Sequence, residues 1–384
     1  MQVANTGFLR PQMSTALNSA EENHLETFCP GVVQAGLPEN LADENPDPVW
    51  GSVLQVNKVH AAKPETRHRA ATGGSLSALC EYLVDNGIDV LHVKNSTTEP
   101  THGETHISNT RADVDAAAGS VYGPAAPLEA LVAKLDLGKP FAIVAKPCDI
   151  SAVRLYARTD ERVNDLVKYM LVMVCGGFMP PFGMRAFYQR VGINEDDVKS
   201  VRYRGNGCPG PTRIETKDGQ VFEETYLDFW GTEASMWHLP WRCKICADGT
   251  GEGADIAAAD TWPGGSPTTE MLTNDPGSNG IIVRTQNGKD LVERAIAAGY
   301  LVNEGPATIE DLNDWQPHQV NKKMAAESRY EGCRRSGHRG LRVEGMQTEA
   351  LRKQLDADVD EQQVRGTMER IAIGKHRDDF GMQE

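Results

Sequence analysis

The segment Arg242-Cys243-Lys244-Ile245-Cys246-Ala247-Asp248 contains the only closely spaced pair among the eight cysteines. Two intervening residues let both thiolates face one metal centre from a tight turn, and the flanking Arg and Lys stabilise thiolate charge. The same spacing serves a redox-active dithiol or half of a structural zinc site, so the pair alone leaves these open. Cys148 and Cys175 extend the argument. Each follows a short apolar run, Phe141 to Ala145 and Tyr169 to Val174, and each is followed by turn-forming residues. Strand ends of one parallel sheet lie side by side, so the two sulfurs can reach a common point. With Cys243 and Cys246 they would supply the four thiolates of a 4Fe–4S cluster. The plain alternative is that Cys148 and Cys175 are buried thiols, a common fate of this residue.

The other cysteines are weaker candidates. Cys208, in the loop Gly205-Asn206-Gly207-Cys208-Pro209-Gly210, is the rival fourth ligand, since Gly and Pro shape loops that suit ligation. Cys29 lies in a loose N-terminal stretch and is a second choice. Cys80 falls on the apolar face of a helical pattern, and Cys333 in a charged tail.

A second set of residues suits phosphate. Thr72-Gly73-Gly74-Ser75 precedes a helical pattern, and a helix N-terminus offers backbone N–H groups to an anion. The glycines permit close approach, Thr72 and Ser75 add hydroxyls, and Arg67 and Arg69 add charge. A double glycine before a helix is equally common turn chemistry, and the arginines would serve as solvated surface. A second glycine loop carries Ser120 and Tyr122; the tyrosine suits stacking or hydrogen bonding, or simple core packing. Asp255, Asp260 and Trp262 follow the cysteine pair and suit either a pocket lining or a turn and packed core. No Ser/His/Asp set, HExxH helix or Walker-type loop is present.

Strand, loop, helix, strand is the order expected of an α/β fold, whose functional groups gather at strand carboxyl ends. We divide the chain into an N-terminal extension (1–48), partly irregular, an N-terminal α/β domain (49–135), a C-terminal α/β domain (136–310) and a helical tail (311–384). Ordinary hydrophobic content (40%) fits a globular protein. A net charge of −15 argues against nucleic-acid and anionic-lipid binding. No apolar run approaches the roughly 20 residues of a membrane span, and the N-terminus lacks a signal-peptide core. The expectation is a cytoplasmic protein with reduced thiols.

In order and spacing, several segments resemble the beta-subunit family of coenzyme F420-reducing hydrogenases and dehydrogenases. They run from Arg67–Gly74 and Ala118–Tyr122, through Pro147–Arg154, Cys175-Gly176 and Tyr203–Gly210, to Arg242–Asp248 and Ala254–Trp262. The likeness spans about residues 49 to 305. It implies an iron–sulfur flavoprotein oxidoreductase in which an N-terminal flavin-binding region precedes a C-terminal cluster region. One 4Fe–4S cluster would sit on Cys148, Cys175, Cys243 and Cys246, with FAD near Arg67, Arg69, Thr72, Gly73, Gly74, Ser75, Ser120 and Tyr122. The implied substrate is a deazaflavin or a small unsaturated organic molecule. Implied partners are ferredoxin or a partner subunit, with a homo-oligomer also compatible. Two departures stand out. Chlorophyll-pathway members of the family carry an additional N-terminal cysteine-rich motif, where this chain has only Cys29; and Cys208 occupies a position usually held by a bulkier residue.

Overall fold

The computed structural model describes residues 1–13, 15–231, 238–380 and 382. Among these, eight strands form one mixed sheet: β1 (Gln55–Ala61), β2 (Asp89–Asn95), β3 (Gly103–Ser108), β4 (Phe141–Ala145), β5 (Val167–Met173), β6 (Ile256–Asp260), β7 (Asn279–Val283) and β8 (Leu301–Pro306). Their spatial order is β8-β1-β7-β6-β5-β4-β2-β3. Strands β2, β4, β5 and β6 run parallel through the middle. The remaining pairings, at β3 on one edge and through β7, β1 and β8 on the other side, are antiparallel.

β4 shows why these residues form a central strand. It is apolar at every position, as a strand buried on both faces must be. Alternation sends Phe141, Ile143 and Ala145 into one core with Ile150 and Val153 of the helix Pro147–Tyr156. Ala142 and Val144 face the other core, with Leu79 and Leu83 of the helix Ser75–Asp85 and Leu291 and Ala295 of the helix Gln286–Ala297. The result is the α/β architecture expected from the sequence, with helices on both sides of a large sheet. Strands from 49–135 and from 136–310 share this sheet: β1 lies between β8 and β7, and β2 beside β4. A separate three-stranded sheet (Val198–Arg202, Thr212–Thr216, Val221–Glu224) packs around its own core of Phe187, Val201 and Ile214.

The N-terminal extension is more structured than its weak periodicity suggests. Asn18 caps a helix, Ser19–Glu26, in a capping box with Glu21. The strand Val33–Ala35 then pairs in parallel with Arg342–Glu344. That partner lies some three hundred residues away, which is why local pattern gives no sign of it. The tail contributes the helices Pro317–Met324, Ala326–Arg335 and Ala357–Ala372. They fold back so that Ala326, Tyr330 and Ile371 pack on Ile245 and Ala247, beside the cysteine pair. Residues 381, 383 and 384 of the tail lie outside the described residues. Among the described residues no helix is long and apolar enough to cross a membrane.

Candidate functional site

β4 and β5 are adjacent and parallel, with Ala145 opposite Val172. Cys148 follows β4 as the second residue of the helix Pro147–Tyr156, and Cys175 follows β5. The short helix Trp241–Lys244 carries Cys243, and Cys246 comes just after it. All four cysteines line one cavity, together with Gln34, Lys146, Phe178, Arg242, Asp248 and Lys322. All eight cysteines are free thiols. Cys208 does not line this cavity. Neither does Cys29, although its neighbour Pro30 does.

Backbone bonds hold the cysteine segments in place. Cys175 N donates to Gly249 O (2.8 Å) and Val174 N to Ala258 O (2.8 Å), tying the end of β5 to the segment leading into β6. Asp248 accepts from the N–H groups of Gly251 (2.6 Å) and Glu252 (3.1 Å), which fixes the turn after Cys246. Asp255 accepts from Met170 N (2.8 Å) and Thr285 Oγ1 (2.8 Å), so it is a buttress between strands and not part of the cavity lining. Gln34 reaches in from the extension: its Oε1 accepts from Ala247 N (3.1 Å) and its Nε2 lies 3.4 Å from Cys246 Sγ. Sequence reasoning missed Gln34 and Lys322. For Gln34 there was no local signal, because its strand exists only through pairing with Arg342–Glu344. For Lys322, in a charged helix, there was none.

Burial is the largest influence on three of the thiols. It pushes Cys175 up to about 11, raises Cys246, and holds Cys148 well above 9.0. Asp149 adds to the rise at Cys148, while Lys146 and Arg242 oppose it. Thiols of this kind release their protons to a cationic centre, which couples metal binding to deprotonation. The donor set also bears on the kind of centre. Among the described residues no three His, Cys, Asp or Glu side chains close in tightly enough to hold a single metal ion. A structural zinc site requires four donors at about 2.0–2.3 Å. Four thiols from three segments line one cavity, so thiolate is the donor that a bound centre would meet there.

Gly177 shows how tightly the cysteine loops approach. It has φ +124, and a Cβ there would lie 2.8 Å from Leu239 Cδ1 and 3.4 Å from Cys243 Cβ. Gly177→Ala is therefore expected to cost about 1–3 kcal/mol of stability through backbone strain and to push the Cys243 segment outward. Iron analysis and denaturant unfolding of the variant check this; wild-type values for both would show that the approach is not required.

Thr72, Gly73, Gly74 and Ser75 lie at the N-terminus of the helix Ser75–Asp85, as expected, and Arg67 and Arg69 in the preceding helix Pro64–Arg69, but these side chains are engaged with their own chain. Ser75 N and Oγ both donate to Asn279 Oδ1 (3.2 and 2.8 Å), and Thr72 Oγ1 donates to Asp260. A Cβ on Gly73 would lie 2.8 Å from Asn279 N, so this glycine serves close packing. Arg67 donates to Gly277 O (2.8 Å) and pairs with Glu304, and Arg69 pairs with Asp115 (2.6 Å). Ser120 is half-buried.

What joins the two loops is Arg204, which the sequence reading did not single out. Its guanidinium donates to Ala71 O (3.0 Å), Thr72 Oγ1 (2.9 Å), Tyr122 OH (3.1 Å) and Asp260 Oδ2 (3.0 Å). It also stands over the rings of Trp262 (4.9 Å) and Tyr226 (5.4 Å). Its buried Nε has no hydrogen-bond partner. It lies in Val201-Arg202-Tyr203-Arg204, where charged and apolar residues alternate, so local sequence did not mark it. Cys208 belongs here: its thiol faces Asp275 (3.7 Å), and burial, reinforced by Asp275, pushes it up to about 12. The two regions are neighbours, since Asp260 ends β6, the strand beside β5, and Met179 N donates to Tyr122 O (2.7 Å) four residues after Cys175.

Fold and site define an α/β protein with a thiol-lined cavity at the carboxyl ends of adjacent parallel strands. Residues 56–133 match the N-terminal part of the coenzyme F420 hydrogenase/dehydrogenase beta subunit, and residues 138–308 match its C-terminal part. The chain belongs to this beta-subunit family. It is 26% identical over 255 residues to the beta subunit of F420-dependent formate dehydrogenase 1 of Methanococcus maripaludis, covering 65% of this chain and 61% of that one. It is 27% identical over 245 residues to the F420-dependent formate dehydrogenase beta subunit of Methanocaldococcus jannaschii, covering 62% and 59%. The chain thus spans about three fifths of the length of these curated relatives. A chain of the F420-reducing [NiFe] hydrogenase complex of Methanosarcina barkeri shares the fold, with a TM-score of 0.56 and 19% identity over 78% of this chain and 98% of that one.

Proposed function

We propose that this chain is an iron–sulfur flavoprotein oxidoreductase of the electron-transfer kind. Cys148, Cys175, Cys243 and Cys246 would hold one 4Fe–4S cluster. FAD would lie against the loops carrying Arg67, Arg69, Thr72, Gly73, Gly74, Ser75, Ser120 and Tyr122, which Arg204 joins. When bound, these groups supply single-electron exchange and its conversion to a two-electron hydride, for a deazaflavin or a small unsaturated organic substrate. The observation that carries the reading is that four cysteines from three separate segments line one cavity.

The chain's own residues supply position and field. Lys146, Arg242 and Lys322 place positive charge around the thiols, which favours their ionised form. Phe178 covers one side, with Arg242 over its ring (5.5 Å). On the flavin side, Arg204 donates to both Thr72 and Tyr122, and its buried Nε has no hydrogen-bond partner. Relatives named as beta subunits favour a second form of the reading, in which the chain works inside a larger complex and takes electrons from a partner subunit or ferredoxin.

The test is to mix anaerobically purified, FAD-loaded protein with a reduced 8-hydroxy-5-deazaflavin. Bleaching of the flavin bands with recovery of oxidised deazaflavin is the expected result. Bleaching by a low-potential one-electron donor alone would favour the subunit form. Protein that binds neither iron nor FAD would refute both.

A further inference from the structure

Gln34 precedes both stretches that match the family, 56–133 and 138–308, so the family likeness does not supply it. Its side chain is buried and lines the cavity with the four cysteines. The strand Val33–Ala35 sets its direction. Val33 and Ala35 pack with Leu155 of the helix Pro147–Tyr156, the helix that carries Cys148. Ala35 N also donates to the buried Ser151 Oγ of that helix (2.6 Å). Alternation along the strand then turns Gln34 the other way, toward Cys246. Parallel pairing with Arg342–Glu344 holds the strand in this register.

The side-chain amide has a defined orientation. Ala247 N donates to Gln34 Oε1 (3.1 Å), and an N–H must meet the carbonyl oxygen. The NH2 end is therefore left for Cys246 Sγ, at 3.4 Å. Oε1 also lies 3.6 Å from that sulfur, so the free thiol can direct its proton there. A thiolate that ligates a centre has no proton to give and only accepts, so the N–H contact is the one that remains. Hydrogen bonds to ligating sulfurs are among the influences that set a cluster's reduction potential.

We propose that Gln34 is a positioning residue of the thiol site: it donates a hydrogen bond to the Cys246 sulfur and thereby raises the reduction potential of the centre that the four cysteines hold. The proposal rests on the iron–sulfur reading above. Reduction adds one negative charge to the core and its sulfurs. A donor aimed at one of those sulfurs stabilises the reduced state more than the oxidised state, and more so in a buried site than in water. Gln34 also joins two ligand-bearing segments, since its strand rests on the helix of Cys148 and its amide holds the turn of Cys246.

The experiment is an EPR-monitored redox titration of the anaerobically purified full chain as wild type, Q34M and Q34E, with iron and acid-labile sulfide assayed in each sample. Methionine is close to glutamine in length and adds no charge, but loses both the donor and the acceptor for Ala247 N. Glutamate keeps that acceptor and adds a charge. The N–H donor is the feature that both variants lack. Expected are wild-type iron in both and, at a potential near the wild-type midpoint, an oxidised-to-reduced ratio about ten-fold higher in each. For a one-electron couple that is a midpoint lower by about 59 mV. A ratio within about two-fold of wild type in either variant would overturn the proposal. Loss of iron in either would assign Gln34 to assembly of the site and overturn it as well. Wild-type protein without iron sinks the iron–sulfur reading and this one with it, whereas full iron with unchanged midpoints sinks the role of Gln34 alone.

Discussion

Cys243→Ser, purified without oxygen, is expected to hold less than about one iron per chain where the wild type holds about four. A serine hydroxyl keeps the shape of the side chain but ionises far less readily than a thiol, so the site loses one of its four soft donors. Cys243 lies in the short helix Trp241–Lys244 and packs close to Gly177, where a Cβ would lie 3.4 Å from its own. Cys148→Ser and Cys175→Ser should behave alike, because those sulfurs are fixed by the ends of β4 and β5. Cys208→Ser and Cys333→Ser should retain full iron, since neither lines the cavity. Iron and acid-labile sulfide assays on the six proteins decide the matter. Full iron in Cys243→Ser, or loss of iron in Cys208→Ser with retention in Cys148→Ser, would replace the proposed ligand set.

Arg204→Ala is expected to destabilise the protein by about 3 kcal/mol and to weaken FAD binding by at least about ten-fold. Arg204 is almost wholly buried and ties Ala71, Thr72, Tyr122 and Asp260 together, so its removal leaves a cavity and frees a partly exposed carboxylate that keeps only Thr72 and solvent as partners. It also unties the loop of Thr72 from that of Tyr122. Arg204→Lys keeps the charge but lacks the planar fork, so it should recover part of the stability and little of the flavin affinity. Denaturant unfolding of the FAD-free proteins and flavin-fluorescence titrations measure the two effects separately. Stability within about 0.5 kcal/mol of wild type, or unchanged FAD affinity, would contradict this role.

Much of the thiol site was legible because its information is local. A run such as Phe141–Ala145 is apolar at every position, which marks a central parallel strand, and a cysteine just past such a strand falls where α/β folds gather function. The pair Cys243 and Cys246 is legible from spacing alone. Gln34 was not, because its strand exists only through pairing with Arg342–Glu344. Lys322 reaches the cavity only because the tail helices fold back, and helical periodicity reports a buried stripe but not its target. On the other side, Thr72, Gly73 and Ser75 were read as ligand groups from their types. In the fold they are also what lets the chain pack against Asn279 and Asp260, a non-local demand that residue type cannot express. Arg204 was hidden for the same reason, since its significance comes from four partners in three distant segments.

Iron-edge X-ray absorption of the anaerobically purified wild-type chain tests most directly the proposal that Cys148, Cys175, Cys243 and Cys246 hold one iron–sulfur cluster. A sulfur first shell with a strong iron–iron shell beyond it is the result expected of a multinuclear core. A sample with no iron–iron scattering, or one that carries zinc in equal proportion to the chain, would contradict it.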